Sequence, residues 1–344
     1  MKKTFLIFGG AGFIGANAAD YFLGEGHGVI IFDNFARAGS EKNIVWLKTK
    51  YPDGDRLKVV RGDVTLKQDF SKMQALVEQV DHVLHLAAQV AVTTSVIDPR
   101  SDFENNLLGT FNVLESIRLS RRRPSLIFTS TNKVYGDLAG VAVIEKANRY
   151  DFRDIAGVNE EQLLDFHSPY GCSKGASDQY VRDYARIYGL KTVVCRQSCI
   201  YGSRQFGMED QGWVAWFIIA VTMAKRITIY GNGKQVRDLL YASDLVKLYD
   251  QLFVSMDKVS GRIFNIGGGP ENTLSLLEFI DILEKKIGHK LDYQIGGVRP
   301  GDQPIYISDI KLIEKLIGWR PKVSVERGLN LLWDWVQENK ALFS

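Results

Sequence analysis

The chain has 344 residues, of which 45% are apolar and 24% charged, a balance that excludes disordered, collagen-like and small disulfide-stapled proteins. Its charges are interspersed and sum to +3, so we expect neither nucleic acid nor an anionic membrane as a partner. Three cysteines without a C-x-x-C spacing predict no disulfide framework and no metal site, and favour a reducing, cytoplasmic location. The longest apolar run, Trp213 to Ala224, is too short for a membrane-spanning helix.

In the first half of the chain, short apolar segments alternate with helical ones. Strands are predicted at Thr4–Phe8, Val29–Phe32, Leu57–Val60, His82–Leu86, Leu126–Phe128 and Thr192–Cys195, and helices at Phe13–Gly24, Phe103–Arg118 and Ala176–Tyr188. This order is typical of βαβ units, whose right-handed crossovers build a parallel sheet. We therefore predict an α/β protein with a Rossmann-type doubly wound domain over residues 1–195. A smaller, mainly C-terminal α/β lobe is expected over 196–237 and 265–344, with 238–264 returning to the first domain.

A glycine-rich loop joins the first strand to the first helix. Glycines permit a tight turn and a close approach of backbone to a pyrophosphate, and the helix N-terminus supplies amide donors; the loop and helix start hold Gly9, Gly12, Phe13, Ile14 and Gly15. Asp33 ends the next strand, where its carboxylate can accept both ribose hydroxyls of NAD and repel a 2′-phosphate. NAD is therefore the predicted cofactor, although Arg37 is close enough in sequence to leave NADP open.

Further candidate cofactor contacts follow the second, third and fourth strands. They are Asn34, Asp63, Val64, Leu86, Ala87 and Ala88. The alanines suit a backbone that lies beside a flat cofactor. Asp63 has two interpretations, an adenine contact or an exposed capping residue.

Candidate reacting groups lie further along the chain. Tyr170 and Lys174 are four residues apart, and on a helix that spacing puts both side chains on one face. A lysine ammonium favours the phenolate, so Tyr170 could exchange a proton with a substrate hydroxyl. The spacing alone is common by chance. The hydroxyl of Thr131, however, follows a predicted strand at the carboxyl edge of the sheet, where open α/β sheets bind ligands.

Together these motifs resemble the extended short-chain dehydrogenase/reductases that act on nucleotide sugars. The resemblance rests on the glycine loop, Asp33, His85-Leu86-Ala87-Ala88, Asn105, the Thr131 segment, Tyr170 with Lys174, and Arg237-Asp238. It implies that Thr131 bonds the reacting sugar oxygen, that Tyr170 is the acid/base, and that Lys174 orients the ribose of a tightly bound NAD. It also implies that Asn105, Gln197 and Ser198 lie near the cofactor.

The residues after Thr131 bear on the reaction. Relatives that dehydrate the sugar carry an Asp-Glu or Glu pair there, whereas this chain has Asn132 and Lys133. Without a carboxylate base, reversible oxidation at one carbon remains, and it gives epimerisation. Within the family, segments 130–138, 196–202, 209–217 and 264–270 resemble epimerases that invert C2 of a CDP-3,6-dideoxyhexose through a 2-keto sugar, with Ser203 in place of the usual proline.

Several residues are candidates to bind the CDP-sugar. They are Asn132, Arg204, Gln211, Arg237 and Arg299, of which the arginines could clamp a pyrophosphate. Two other hypotheses stay open: a UDP-hexose 4-epimerase, and a non-catalytic NAD-binding protein on the same fold. Apolar faces of Phe103–Leu119 and Tyr180–Tyr188 predict a homo-oligomer, a dimer or tetramer, paired through a helix bundle.

Overall fold

The computed structural model of the protein describes residues 1–52, 54–299 and 301–343, and it confirms the predicted α/β class with a parallel central sheet. In chain order the strands are β1 (Thr4–Phe8), β2 (Gly28–Asp33), β3 (Leu57–Arg61), β4 (His82–His85), β5 (Ser125–Thr131), β6 (Val143–Glu145), β7 (Tyr150–Phe152), β8 (Thr192–Gln197), β9 (Cys199–Tyr201), β10 (Ile227–Tyr230), β11 (Val236–Tyr241), β12 (Arg262–Ile266), β13 (Thr273–Ser275), β14 (Tyr293–Gly296) and β15 (Ile305–Tyr306). The α-helices are α1 (Phe13–Gly24), α2 (Ser40–Lys50), α3 (Phe70–Val77), α4 (Val92–Ile97), α5 (Pro99–Phe103), α6 (Gly109–Arg118), α7 (Ser168–Tyr188), α8 (Trp213–Thr222), α9 (Ala242–Val254), α10 (Met256–Val259), α11 (Leu276–Ile287), α12 (Lys311–Ile317) and α13 (Val325–Glu338). Short 3-10 helices cover Lys67–Asp69, Asn132–Tyr135 and Lys340–Leu342, and a π-helical turn covers Glu104–Leu108.

The first lobe is built on a seven-stranded sheet in the order β12-β8-β5-β4-β1-β2-β3, in which every neighbouring pair is parallel. The chain starts in the middle at β1, moves outward through β2 and β3, and then crosses to β4 on the other side of β1. Open α/β sheets bind ligands outside the carboxyl ends of the strands, where the strand order reverses. The crevice beyond β1 and β4 is therefore where a ligand is expected.

Helices cover both faces of this sheet, which explains why its strands are continuous apolar runs. β5 is buried at all seven positions. On one face, α1 and α9 contribute Phe22 and Tyr249 to a shared core. On the other face, α3, α6 and α7 contribute Met73, Ile117 and Val181.

The helix predicted over Phe103–Arg118 begins earlier and is interrupted. It starts at Pro99, whose fixed backbone suits a first helical position. At Glu104–Leu108 it widens into a π turn. There the carbonyl of Asn106 accepts hydroxyl donors from Thr110 and from α7. Such turns are frequent at functional sites, and this one packs against the helix that carries the predicted tyrosine and lysine.

The second lobe is organised around β11. This strand pairs antiparallel with β13 and parallel with β15 at its start, and parallel with β9 at its end. Helices α8, α11 and α13 enclose a separate core that includes Phe217, Phe279 and Leu332. The boundary predicted at residue 238 falls inside β11, and the elements that rejoin the first lobe are α9, α10, β12 and α12.

Candidate active site

The glycine loop lies against the chain that leaves β4. Gly9 has a left-handed backbone, and a Cβ there would come within 2.6 Å of the Ala87 amide nitrogen and 2.9 Å of the Leu86 carbonyl carbon. A Cβ at Gly15 would collide with the backbone of Gly9 and Gly10. No side chain caps the following helix, which begins with Gly12, Phe13 and Ile14. Uncapped amides beside bare backbone fit the diphosphate of a dinucleotide.

Substituting Gly9 with alanine should destabilise the fold and weaken cofactor retention. The left-handed backbone alone costs an L-residue about 1 to 2 kcal/mol, and overpacking against Ala87 adds about 1 to 3 kcal/mol. Gly140→Ala is the matched control, since Gly140 also has a left-handed backbone but a Cβ added there would meet no atom within 4 Å. Urea denaturation and the NAD content of the purified variants check the prediction. Equal losses in the two variants would contradict the close-approach argument.

Asp33 lies at the end of β2 and holds the glycine loop. Its Oδ2 accepts from the Ala11 amide at 2.9 Å, and its Oδ1 accepts from the Phe35 amide at 2.8 Å. Burial raises the pKa of this carboxyl, although the two amides and the nearby arginines act to lower it. Arg37 is one of these arginines, and it interacts electrostatically with both Tyr170 and Asp33.

The candidates Asn34, Asp63 and Val64, which follow β2 and β3, lie together at one edge of the sheet. Asn34 donates to Asp63 Oδ2 at 2.9 Å. The other oxygen of Asp63 accepts from the amide and hydroxyl of Thr65 at 2.8 and 2.7 Å. Val64 is buried against Gly109. The turn bonds to Thr65 give Asp63 a structural role, whether or not it also contacts adenine.

Tyr170, Lys174 and Thr131 come together beyond β5. Tyr170 and Lys174 lie on the buried side of α7, and Lys174 Nζ donates to the Thr129 carbonyl at 2.6 Å and lies 4.3 Å from the Phe128 ring centre. The Thr131 hydroxyl lies close enough to the Tyr170 phenol to lower its pKa. The three predicted reacting groups therefore share one buried site.

Burial controls the protonation of this site. It raises the pKa of Tyr170 to about 12, and the Thr131 hydroxyl opposes that rise. Burial also lowers the pKa of Lys174 to about 7, although the carboxylates of Asp178 and Asp102 act to raise it. Without further positive charge Tyr170 stays a phenol at neutral pH, so a cationic cofactor beside it would favour proton removal.

Sequence reasoning missed two buried residues next to this site. Asp102 is fully buried and accepts from Ser173, Gln89 and Asn106 at 2.5, 2.9 and 3.0 Å. Asn106, in the π turn, is also fully buried and donates to Ser173 as well. An aspartate in a first helical turn normally complements the helix dipole in solvent, so the sequence carries no sign of its burial.

A chain of side-chain amides joins the Thr131 segment to the second lobe. Gln303 donates to the Gly136 carbonyl. Asn132 donates to Gln303 Oε1 at 2.9 Å, and its own oxygen faces the Thr131 hydroxyl at 3.4 Å. Lys133 Nζ donates to the Gly301 carbonyl at 2.9 Å. The segment after Thr131 thus lies under residues 301–303, and Gln303 is another contact that the sequence did not indicate.

Asn132→Asp should destabilise the protein by about 1 to 3 kcal/mol, because a carboxylate cannot donate to Gln303 Oε1 and two buried acceptors would then face each other. Asn330→Asp is the matched control, since the exposed Asn330 only accepts, from Lys286. We expect that control to change stability by less than about 0.5 kcal/mol. Thermal and urea denaturation of both variants provide the test; equal effects would show that the amide chain is dispensable.

Two of the three arginines predicted to bind the substrate form ion pairs with aspartates near residues 301–303. Arg237 donates to Asp302 at 2.6 Å. Arg299 pairs with Asp210 at 3.0 Å and lies 3.7 Å from the Tyr230 ring centre. Burial and Arg237 lower the pKa of Lys133 to about 8. Arg237 and Lys133 thus share the carboxylate of Asp302, since Lys133 Nζ is 3.9 Å from it.

Two further candidates have other partners in this structure. The Arg204 guanidinium is 4.1 Å from the Trp46 ring centre and 5.6 Å from that of Trp335, so it joins α2 to α13, and its contact with the substrate stays a prediction. Asn105 bonds its own helix at Ser101. Its neighbour Asn106 donates to Asp102 and Ser173.

The last candidates lie near the ends of β8 and α8. Gln197 pairs in register with Thr131 on β5 and donates to the Tyr249 hydroxyl. Ser198 donates to Asp238. Gln211 bonds through its backbone to Met208 in the turn before α8. Only Gln197 is thereby placed directly beside a reacting group.

Metal-ligand clusters and membrane spans are both absent from residues 1–52, 54–299 and 301–343. This part of the chain contains no group of three or more His, Cys, Asp or Glu side chains that could hold a metal ion. Its helices are all too short or too polar to cross a bilayer.

The chain is similar over nearly its whole length to enzymes of nucleotide-sugar metabolism. The GDP-mannose 4,6 dehydratase family profile matches residues 6–332. The CDP-paratose 2-epimerase of Salmonella typhi is 45% identical over 336 residues, covering 96% of this chain and 98% of that protein. DesIV, a dTDP-glucose 4,6-dehydratase from Streptomyces venezuelae solved with NAD and TYD bound, has a TM-score of 0.83 and is 27% identical, covering 98% of each chain.

A UDP-glucuronic acid 4-epimerase from Bacillus cereus, solved with UDP-glucuronic acid and NAD, has a TM-score of 0.82 and is 26% identical, covering 97% of this chain and 99% of that one. These proteins include both epimerases and dehydratases. The predicted family is confirmed: the chain belongs to the GDP-mannose 4,6-dehydratase family of extended short-chain dehydrogenase/reductases.

Proposed function

We propose that the protein is an NAD-dependent epimerase that inverts C2 of a CDP-3,6-dideoxyhexose and converts CDP-paratose to CDP-tyvelose. The observation that carries this proposal is the buried set of Thr131, Tyr170 and Lys174, followed by Asn132 and Lys133 where elimination of water would need carboxylates. The 45% identity to a CDP-paratose 2-epimerase supports the choice of substrate.

The crevice beyond β1 and β4 fits NAD. The bare backbone at Gly9 and Gly15 would admit the diphosphate, the uncapped N-terminus of α1 would donate to it, and Asp33 would hold a ribose. Lys174 would bond the second ribose. Bound NAD supplies reversible hydride chemistry at the sugar carbon.

Side chains of the protein would transfer the proton of the sugar hydroxyl. Thr131 would hold the reacting sugar oxygen, and Tyr170 would take the hydroxyl proton as C2 is oxidised to the ketone. The ammonium of Lys174 stabilises the phenolate that accepts this proton. After the keto sugar has presented its other face, Tyr170 returns the proton to the oxygen. Loss of water is disfavoured, because Asn132 cannot act as an acid/base and Lys133 is bonded to Gly301.

The charged groups near residues 301–303 would hold the CDP moiety. Arg237 and Lys133 share the carboxylate of Asp302, and Arg299 pairs with Asp210. A nucleotide diphosphate carries the charge to replace these carboxylates and could be held by bidentate arginine bonds. Gln211 and Asn132 would provide polar contacts beside it.

The reaction is tested by proton NMR of the purified protein with CDP-paratose in deuterated water, without added cofactor. We expect conversion to the 2-epimer with its C2 proton retained, because the hydrogen removed from C2 is returned to it. Deuterium at C2 would mean deprotonation beside a carbonyl and would remove the redox role of NAD. If NAD-bearing protein leaves CDP-paratose unchanged but converts a UDP-hexose, the 4-epimerase hypothesis replaces this one; inertness toward both favours a non-catalytic NAD-binding protein.

We also propose that the protein is a homo-oligomer that pairs through α6 and α7. Apolar side chains stay exposed on this surface, at Phe103, Phe111, Leu119, Tyr180, Ile187 and Tyr188, and such a patch marks an interface. Sedimentation velocity that finds only monomer would reject this. The three free cysteines accord with our prediction of a reducing, cytoplasmic location.

A further inference from the structure

Asp102 is a buried carboxylate that the proposed reaction does not use. It is inaccessible to solvent, and its three hydrogen-bond donors, Ser173, Gln89 and Asn106, are all neutral. Burial raises the pKa of this carboxyl, because a buried ion without a compensating charge is costly. The charge of the Asp102 carboxylate therefore requires a nearby cation.

Lys174 is the buried cation whose charge acts on Asp102. It follows Ser173, the residue whose hydroxyl binds Asp102 at 2.5 Å, and the positive charge of Lys174 acts on the Asp102 carboxyl. Its own ammonium touches a neutral carbonyl and an aromatic ring, with no carboxylate in hydrogen-bonding contact among the described residues. Lys174 and Asp102 therefore each lack a directly bonded counter-ion.

The other charged groups around Lys174 do not fill that place. Asp178 lies one turn further along α7. Its carboxylate already accepts from Nε and Nη2 of Arg196, at 2.7 and 3.1 Å. From β4, His85 faces Lys174, and burial keeps this imidazole neutral by lowering its pKa to about 3. From α7 itself, Tyr170 lies within the field of Asp102 and is a neutral phenol in this state.

We infer that Asp102 is a positioning residue that keeps Lys174 charged by acting as its counter-ion across the interface between α5 and α7. Its hydrogen bonds hold the carboxylate at a fixed place, so the ammonium experiences a constant field whether or not the crevice contains a ligand. The same charge opposes ionisation of Tyr170, which delays formation of the phenolate until a cationic cofactor is present. The link to catalysis rests on the proposed function; the charge pairing itself does not.

The test variant is Asp102→Asn, which keeps the shape and most of the hydrogen bonds. The two amide donors share one oxygen, which an asparagine retains. Ser173 can accept from the new amide because its own hydroxyl already lies 3.2 Å from the Tyr170 carbonyl oxygen. Asp98→Asn is the matched control: it removes the same charge from the exposed cap of α5.

The first readout is a double-variant cycle of stability with Lys174→Met, which needs no substrate. If the two residues are counter-ions, each single variant leaves a buried charge uncompensated, and the double variant is more stable than the sum of the single effects predicts. Asp98→Asn with Lys174→Met should be additive. Additivity for Asp102 and Lys174 would overturn the inference, even if the enzyme is an epimerase.

The second readout is the pH profile of kcat. Loss of the Asp102 charge lowers the pKa of both Lys174 and Tyr170, because that charge favours the ammonium and disfavours the phenolate. Both limbs of the profile should therefore move to lower pH in Asp102→Asn and stay in place in Asp98→Asn. A profile that merely loses amplitude would mean a structural role and would contradict the inference. Wild-type protein without turnover would refute the proposed function instead, and the stability cycle would still decide the charge pairing.

Discussion

Replacing Tyr170 with phenylalanine should lower kcat by about a hundredfold to ten-thousandfold, the usual contribution of a positioned general acid/base. The variant loses only the oxygen that exchanges a proton with the sugar. Since the Thr131 hydroxyl still faces Asn132, we expect little change in fold and full retention of NAD. The measurement is initial rates by NMR at saturating CDP-sugar.

Tyr184→Phe is the matched control for that experiment. Tyr184 is a buried tyrosine of the same helix, but its hydroxyl donates to Glu115 at 2.7 Å, away from the crevice. Its removal should leave kcat within about twofold, since this hydroxyl exchanges no proton with the substrate and makes no acid/base contribution. Full turnover by Tyr170→Phe would remove the acid/base role assigned to Tyr170.

The second large effect concerns stability. Asp178 and Arg196 form a buried, two-pronged ion pair whose side chains are 1% and 3% exposed. Asp178→Ala leaves the guanidinium without its counter-ion, and breaking such a pair typically costs about 3 to 5 kcal/mol. The Tyr135 hydroxyl, 3.0 Å from the same guanidinium, cannot replace a charge. Urea denaturation with an unchanged m-value would measure the loss.

The exposed pair between Arg61 and Glu41 is the control for Asp178→Ala. Its N···O distance is 3.2 Å, but the two side chains are 66% and 77% exposed. Water and salt screen such a pair, so Glu41→Ala should cost no more than about 0.5 kcal/mol. A similar small loss for Asp178→Ala would show that the interior around Arg196 admits water.

The first lobe was predictable because its signals are local. Each strand of the parallel sheet is a short apolar run bounded by turn residues, and Asp33 and Thr131 occupy strand ends that the topology brings to one edge. The four-residue spacing of Tyr170 and Lys174 needed only one helix to bring them together. The identity of such residues is visible without knowledge of long-range packing.

The remaining site depends on contacts between distant parts of the chain. Gln303 reaches Asn132 from the second lobe, and Asp102 is buried only because α5 packs on α7. The Arg204 guanidinium lies near two indole rings on separate helices, a contact that the sequence does not reveal. The π turn depends on hydroxyls of Thr110 and Ser177 that no helical periodicity reveals.

β12, one of the two edge strands of the large sheet, joins it only after the chain has passed through β9 and β11 of the second lobe. A fragment cut after β8 would expose the backbone of β8 as an unpaired edge, a template for aggregation. Residues of α10 and α12 also belong to the core of the first lobe. The two lobes therefore cannot be exchanged as independent units. A chimaera that borrows the sugar pocket of another family member must retain α9, α10, β12 and α12 from the parent that supplies β1 to β8.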